Sequence, residues 1–184
     1  IKELIQDFPN IPLLHNISGA CNSALGEIDS AIISFNKAIE LKPDYDEAYF
    51  NLGVAFHQTG QLGEAINRYE RAISIEHAYP TSHNNLGLIA LSQGQLDNAL
   101  KSFEWAIADS PEYAEAHNSL GAALQELKQF EKAKVSFKKA VALNPQYAQG
   151  LHNLAILSEI INLPDEASEY YEKALAVEPN YAEA

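Results

Sequence analysis

The sequence predicts an all-α protein, an α-solenoid in which two-helix units stack one on the next. The first observation is a fixed period, because "HNNLG" at 83–87 returns as "HNSLG" at 117–121, 34 positions later. The second is that each period holds two runs of apolar residues at helical spacing. The third is the composition, since 47% hydrophobic and 20% charged residues are typical of a folded chain. A two-helix unit cannot bury its apolar face alone, so the units must stack.

The repeats keep one phase along the chain. Counted from Pro12, the period predicts a single array made of a partial unit, five ungapped repeats and the start of another: 1–11, 12–45, 46–79, 80–113, 114–147, 148–181 and 182–184. Position 20 of each full repeat is alanine, position 24 is Phe or Tyr, and position 8 is glycine in the first four. Small residues let two helix backbones approach, and the ring fills the space beside them. Position 10, which includes Cys21, is expected to be buried against the preceding repeat.

Local signals mark where each helix ends. Gly26, Gly60 and Gly94 occupy the turn between the two helices, where a left-handed backbone conformation favours glycine. A proline at position 32 of most repeats stops the second helix, and Pro164 is expected to open the second helix of the last repeat. We therefore expect ten complete helices in the five repeats and part of one more before them.

This set of columns resembles the tetratricopeptide repeat family over residues 12–181. The resemblance implies a right-handed superhelix in which the first helix of every repeat lines a concave groove, with positions 2, 5, 6, 9, 12 and 13 facing it. It is specific for the fold and says little about function, because one scaffold serves many tasks.

The groove positions combine amides with an apolar stripe. The candidate partner-binding residues are Asn16, Phe50, Asn51, Val54, His57, Asn84, Asn85, Leu88, Leu91, Asn118, Gln125, His152, Asn153 and Ile156. An amide both donates and accepts, so it can hold the backbone of an extended peptide whatever its sequence, while apolar neighbours select side chains. A similar asparagine ladder is a feature of the repeat region of O-linked N-acetylglucosamine transferases. The alternative is that individual asparagines bond only to neighbouring loops or helices.

Charge narrows the choice of partner. A net charge of −13 and a pI near 4.7 argue against nucleic acid and against anionic membranes. The predicted first helices contain no Lys or Arg, and the cluster Lys132, Lys134, Lys138 and Lys139 lies on a second helix. We therefore expect a protein or peptide partner that is uncharged or basic. Family members that capture acidic chaperone C-termini use groove cations, so that activity is not expected here.

The titratable residues do not suggest catalysis. His15, His83 and His117 share position 4, and residues at this position in neighbouring repeats are expected to lie about 10 Å apart, which is too far to share a zinc ion. We expect no metal, no cofactor and no enzymatic activity. The single cysteine, Cys21, allows no intrachain disulfide and suggests a reducing, cytoplasmic setting.

Three functions are compatible with these patterns. The leading one is a noncatalytic protein-interaction scaffold that binds an extended partner segment in the groove. The second is a substrate-recognition arm of a larger glycosyltransferase- or sulfotransferase-type enzyme, and the third is a self-assembling spacer. Self-association end to end is expected because the last second helix is predicted to leave four residues uncovered: Leu163, Ala167, Tyr170 and Ala174.

Overall fold

The computed structural model describes residues 1–179, and these residues form eleven α-helices and no strand. The helices are α1 (Lys2–Asp7), α2 (Pro12–Ala24), α3 (Ile28–Leu41), α4 (Asp46–Gln58), α5 (Leu62–Ile75), α6 (Pro80–Ser92), α7 (Leu96–Asp109), α8 (Ala114–Glu126), α9 (Phe130–Leu143), α10 (Ala148–Ile160) and α11 (Pro164–Val177). The predicted all-α fold is confirmed. The predicted start of a sixth full repeat at 182–184 lies outside the described residues.

Each repeat is a helical hairpin closed by a left-handed turn. Gly26, Gly60 and Gly94 have φ of 78°, 73° and 70°, as the sequence predicts. Lys128 and Asn162 take the same conformation in the last two repeats, with φ of 58° and 61°. Pro164 is the first residue of α11, where its missing N–H has no helical partner to lose.

In the first four repeats the glycine at position 8 packs against the aromatic ring at position 24, and this contact joins the two helices of the hairpin. A Cβ placed on Gly121 of α8 would lie 2.6 Å from Cδ1 of Phe137 on α9, so the ring rests directly on the glycine backbone. The same relation joins Gly53 to Tyr69. Position 20 is buried in all five repeats, in Ala31, Ala65, Ala99, Ala133 and Ala167. The close helix approach predicted from these columns is present.

The chain divides into two compact units, Ile1–Ser82 and a second that begins at His83. In the first unit, Ala31, Phe35, Leu52 and Ala55 form a buried cluster. In the second, the largest cluster consists of Leu124, Ala133, Phe137, Leu154 and Leu157. The superhelical course of the whole array stays a prediction. None of the helices within residues 1–179 is long and apolar enough to cross a bilayer.

Two burial predictions are wrong. Cys21 is exposed, because position 10 is covered by a preceding repeat and only the six-residue α1 precedes it. Ala167 and Ala174 were expected on the open side of the last hairpin, but both are buried. They belong to the alanine columns that face the first helix of their own repeat, so α10 covers them. Leu163 is exposed as expected, and Tyr170 is half-buried.

Candidate partner-binding face

The first helices present an open row of side chains, which we call the first-helix face. Leu88 is exposed, and eight other predicted residues are half-buried, with part of each side chain open to solvent: Asn51, Val54, His57, Asn85, Leu91, Gln125, Asn153 and Ile156. These residues occupy positions 6, 9 and 12 of their repeats. Each of the two compact units therefore carries its own stretch of this face.

Position 5 does not belong to the open face. Asn16, Asn84, Asn118 and His152 were predicted to line the groove, yet each is less than 9% exposed. Positions 5 and 6 are separated by about 100° around a helix. In four of the five repeats the first helix is therefore rotated so that position 6 is open to solvent, while in the fourth repeat Ser119 at position 6 is itself buried.

The fifth residue of this column, Phe50, is held in an aromatic cluster. Its ring centroid lies 5.9 Å from that of Tyr69 and 5.5 Å from that of Tyr79. Burial, with smaller effects from Asp46 and Glu47, raises the pKa of Tyr79 to about 12. Phe50 is half-buried and serves mainly to pack this part of the first unit.

Buried position-5 asparagines bond to position-6 asparagines of the next repeat, an arrangement we call the amide clasp. Asn51 Nδ2 donates to Asn16 Oδ1 at 3.1 Å, and Asn153 Nδ2 donates to Asn118 Oδ1 at 2.8 Å. Each of these four asparagines therefore makes at least one hydrogen bond to a neighbouring first helix. The pairing was not predicted from the sequence, although its signal is present as two asparagines 35 residues apart.

One clasp is incomplete. Asn84 occupies position 5 of the third repeat, but Ser119 stands where the next repeat needs an asparagine at position 6. The Asn84 side chain is 5% exposed, and its Oδ1 atom has no hydrogen-bond partner among residues 1–179. An unpartnered buried acceptor of this kind destabilises a fold by about 1–3 kcal/mol.

A cavity of about 310 Å³ opens on the first-helix face of the second unit, where α6 and α8 end. Its lining combines apolar and polar side chains from three repeats: Leu91, Gly94, Leu96, Ala122, Gln125, Glu126, Phe137 and Asn153. Gln125 Oε1 is buried without a hydrogen-bond partner in the described chain. Glu126 is exposed and forms no ion pair within residues 1–179. The cavity is therefore rich in acceptors and has no lysine or arginine.

Part of the predicted lysine cluster is engaged within the fold. Lys134 donates to Glu166 of α11, Lys138 lies 3.7 Å from the same carboxylate, and Ser158 also donates to it. The hydrogen bond from Lys134 is the largest cause that lowers the pKa of Glu166. These contacts join α9, α10 and α11, while Lys132 and Lys139 stay exposed.

A second, more apolar cavity of about 570 Å³ lies between α7, α8 and α9. Leu100, Leu120 and Leu124 line it, and Val135 at its edge is 70% exposed. Position 23 is the small Ser136 here, whereas Arg68 and Tyr170 occupy that position in the second and fifth repeats. This cavity was not predicted from the sequence, in which the small Ser136 at position 23 was the available signal.

The histidines of position 4 have structural partners. The Nε2 atoms of His15 and His117 lie 2.7 and 3.0 Å from the carbonyl oxygens of Pro9 and Pro111. His83 instead lies 3.6 Å from Asp109, and its ring centroid lies 5.5 Å from that of Trp105, with the two rings tilted by 56°. Burial lowers the pKa of His83 although Asp109 opposes the shift. Among residues 1–179 no group of His, Cys, Asp or Glu is arranged to hold a metal ion.

Comparison with protein families gives matches along most of the chain. A family model described as TPR repeat matches residues 24–60, 55–91 and 87–128. Two models described as tetratricopeptide repeat match residues 114–147 and 148–181. No curated protein sequence matches this chain.

Solved structures share the fold. A thermophilic TPR protein of Thermus thermophilus is 26% identical, with a TM-score of 0.77 over 93% of each chain. A crystal structure of MamA is 23% identical with a TM-score of 0.74, covering 90% of this chain and 97% of its own. YrrB, described as a TPR protein with an unusual peptide-binding site, is 19% identical with a TM-score of 0.70, covering 99% of this chain and 94% of its own.

Proposed function

The chain belongs to the tetratricopeptide repeat family, and from that premise we propose that its first-helix face binds an extended peptide segment of a partner protein. Arrays of this family are protein-interaction scaffolds, and this fold supports that general role. The proposal of peptide binding on this face rests on its mixed row of solvent-facing amides and apolar side chains, on helices that lack lysine and arginine. The peptide-binding site named for YrrB supports the same use of this fold.

The open amides would hold the main chain of the peptide. Asn85 is half-buried and makes no hydrogen bond within the described residues, so both its donor and acceptor atoms are available. Leu88 and Ile156 offer apolar surface for side chains. Because the cations of the chain lie elsewhere, an uncharged or basic segment fits this face better than an acidic one.

We propose that the chain acts without catalysis and in the cytoplasm. The polar side chains of the face are mostly amides, which neither titrate near neutral pH nor act as nucleophiles. The single thiol, Cys21, is exposed and suits a reducing compartment.

The test uses selection followed by measured affinity. Nine-residue peptides selected on the 184-residue chain are titrated calorimetrically against the wild type and against the triple variant Asn85→Ala, Leu88→Ser, Ile156→Ser. We expect the triple variant to bind at least about tenfold more weakly, a loss of about 1.4 kcal/mol. Equal binding to the wild type and the triple variant would refute the proposed face.

A matched control substitutes cations on a second helix. Lys132→Ala with Lys139→Ala alters two exposed residues of α9 and is expected to leave affinity unchanged. Circular dichroism of all variants confirms that the helices persist. A peptide ending in the acidic chaperone carboxylate motif is expected not to bind, because the face supplies no cation for its carboxylates.

A further inference from the structure

We infer that the 310 Å³ cavity at the ends of α6 and α8 takes the side chain of one arginine in the bound partner. The inference rests on the proposed function, since it names a residue that the proposed peptide would present. It follows from three properties of the cavity: three of its polar groups are acceptors, its walls are largely apolar, and it is large enough to admit a long side chain.

Three polar groups of the cavity lining accept hydrogen bonds, and the Nε2 atom of Gln125 is a donor beside them. Gln125 Oε1 is buried and unpartnered within the described chain. Asn153 uses Nδ2 to reach Asn118, which leaves its Oδ1 as an acceptor. Glu126 adds a carboxylate that has no partner cation in residues 1–179. A site of this kind recognises a group that only donates, and among side chains Arg and Lys fit that description best.

The walls suit the stem of such a side chain. Leu91, Leu96 and Ala122 provide apolar surface, and the aromatic Phe137 also lines the cavity. Arginine and lysine bury their methylene stems against apolar surface and keep the charged group at polar atoms. The guanidinium carries five donors in a planar fork and can satisfy several separated acceptors, whereas the ammonium of lysine is a compact point charge. The three acceptors therefore favour arginine.

The fourth repeat alone has a glutamine at position 12 followed by a glutamate at position 13. Positions 12 and 13 are Gln125 and Glu126 in the fourth repeat, and the other repeats carry Ser23-Ala24, His57-Gln58, Leu91-Ser92 and Glu159-Ile160. Glu159 is the other carboxylate in these columns, and it already hydrogen-bonds Tyr171. A bound peptide would thus be anchored by a single arginine, which fixes its register on the face.

The test compares four pools of random nine-residue peptides that differ in one fixed central residue: arginine, lysine, norleucine or glutamate. Each pool is titrated against the wild-type chain by fluorescence polarisation. We expect the arginine pool to bind about tenfold more tightly than the norleucine pool, with lysine between them and glutamate weakest. In Glu126→Gln and in Gln125→Leu, the arginine advantage is expected to fall to about threefold or less.

The matched control is Glu112→Gln, which removes an exposed carboxylate just before α8, away from the cavity and outside the groove-facing positions. It is expected to keep the arginine advantage. An equal advantage in wild type and Glu126→Gln, or no preference for arginine in the wild type, overturns the inference.

The outcomes separate this inference from the proposed function. If all pools bind equally and the triple variant Asn85→Ala, Leu88→Ser, Ile156→Ser weakens them all, the face binds peptides but the arginine site is wrong. If no pool binds the wild type, both proposals fail. Thermal unfolding of each variant shows that a lost preference does not come from a lost fold.

Discussion

At the residue scale, the helix packing at position 8 depends on whether the residue there is glycine or alanine. Gly121 lies against Phe137, which is 1% exposed and has little room to move. The last repeat carries Ala155 at this position, and there the matching ring, Tyr171, is half-buried and lies tilted against His152, 5.8 Å away between ring centroids. The alanine is tolerated where the ring can sit further out.

Gly121→Ala is expected to lower the free energy of unfolding by about 1–3 kcal/mol, because the added Cβ overpacks against Phe137. Helix propensity alone would predict the opposite, since alanine normally stabilises a helix by about 1 kcal/mol relative to glycine. The matched control is Gly63→Ala on α5, where a Cβ meets nothing within 4 Å and a small gain is expected. Urea unfolding measures the free energy of unfolding of both variants. An increase in both would show that the Phe137 ring can move aside at little cost.

The amide clasp gives a second residue-scale prediction. Ser119→Asn places an amide donor at the position that bonds Asn84 in the complete clasps, so we expect a gain of about 0.5–1.5 kcal/mol. Asn153→Ala removes the donor to the buried Asn118 Oδ1 and is expected to cost about 1–3 kcal/mol.

Ser119→Ala is the control for the first of these changes, because it alters the side chain without adding a donor. Chemical denaturation with one spectroscopic probe per variant measures the effect. If Ser119→Asn and Ser119→Ala unfold at the same urea concentration, the clasp does not extend to the third repeat.

At the element scale, ion pairs and hydrogen bonds as well as apolar packing hold α11 against the preceding helices. Glu166 near the start of α11 accepts hydrogen bonds from Lys134 of α9 and Ser158 of α10. The pKa of this carboxyl is lower in the folded chain than in the unfolded chain, chiefly because of the bond from Lys134. The folded state therefore binds fewer protons over the intervening pH range.

It follows that Glu166 stabilises the fold above about pH 5 and that this contribution is lost as the pH falls through the folded pKa. We expect Glu166→Gln to lower the melting temperature at pH 7 and to leave it nearly unchanged at pH 3. Glu169→Gln breaks an exposed pair with Lys173 on α11 and should change little at either pH. Equal losses at pH 7 and pH 3 for Glu166→Gln would contradict the assigned cause.

At the scale of the whole molecule, apolar side chains are exposed near both termini of the described chain. Leu4, Phe8 and Leu13 are each about half exposed, and Leu163, Leu175 and Val177 are exposed at the other end. Such surface favours association at about 25 cal/mol per Å² before the costs of binding, which reduce it greatly. End-to-end self-association of the 184-residue chain therefore stays a prediction.

Sedimentation equilibrium at increasing concentration is expected to show reversible association of the wild type. Leu4→Ser with Phe8→Ser should weaken it, and Leu25→Ser, which changes an exposed leucine in a turn, should not. A strictly monomeric chain at millimolar concentration would rule the prediction out.

The sequence by itself determined the period, the helix pairs, the glycine turns and the absence of cations from the first helices. These features depend on local spacing and residue size, which repeat in register every 34 residues. Only the tertiary structure decided that Asn84 and Asn118 are buried and that Cys21 is exposed. The physical reason is rotation: positions 5 and 6 lie about 100° apart on a helix, and the packing of neighbouring first helices selects which one faces solvent. The acceptor-lined cavity around Gln125 has the same origin, because three repeats must stack before it exists.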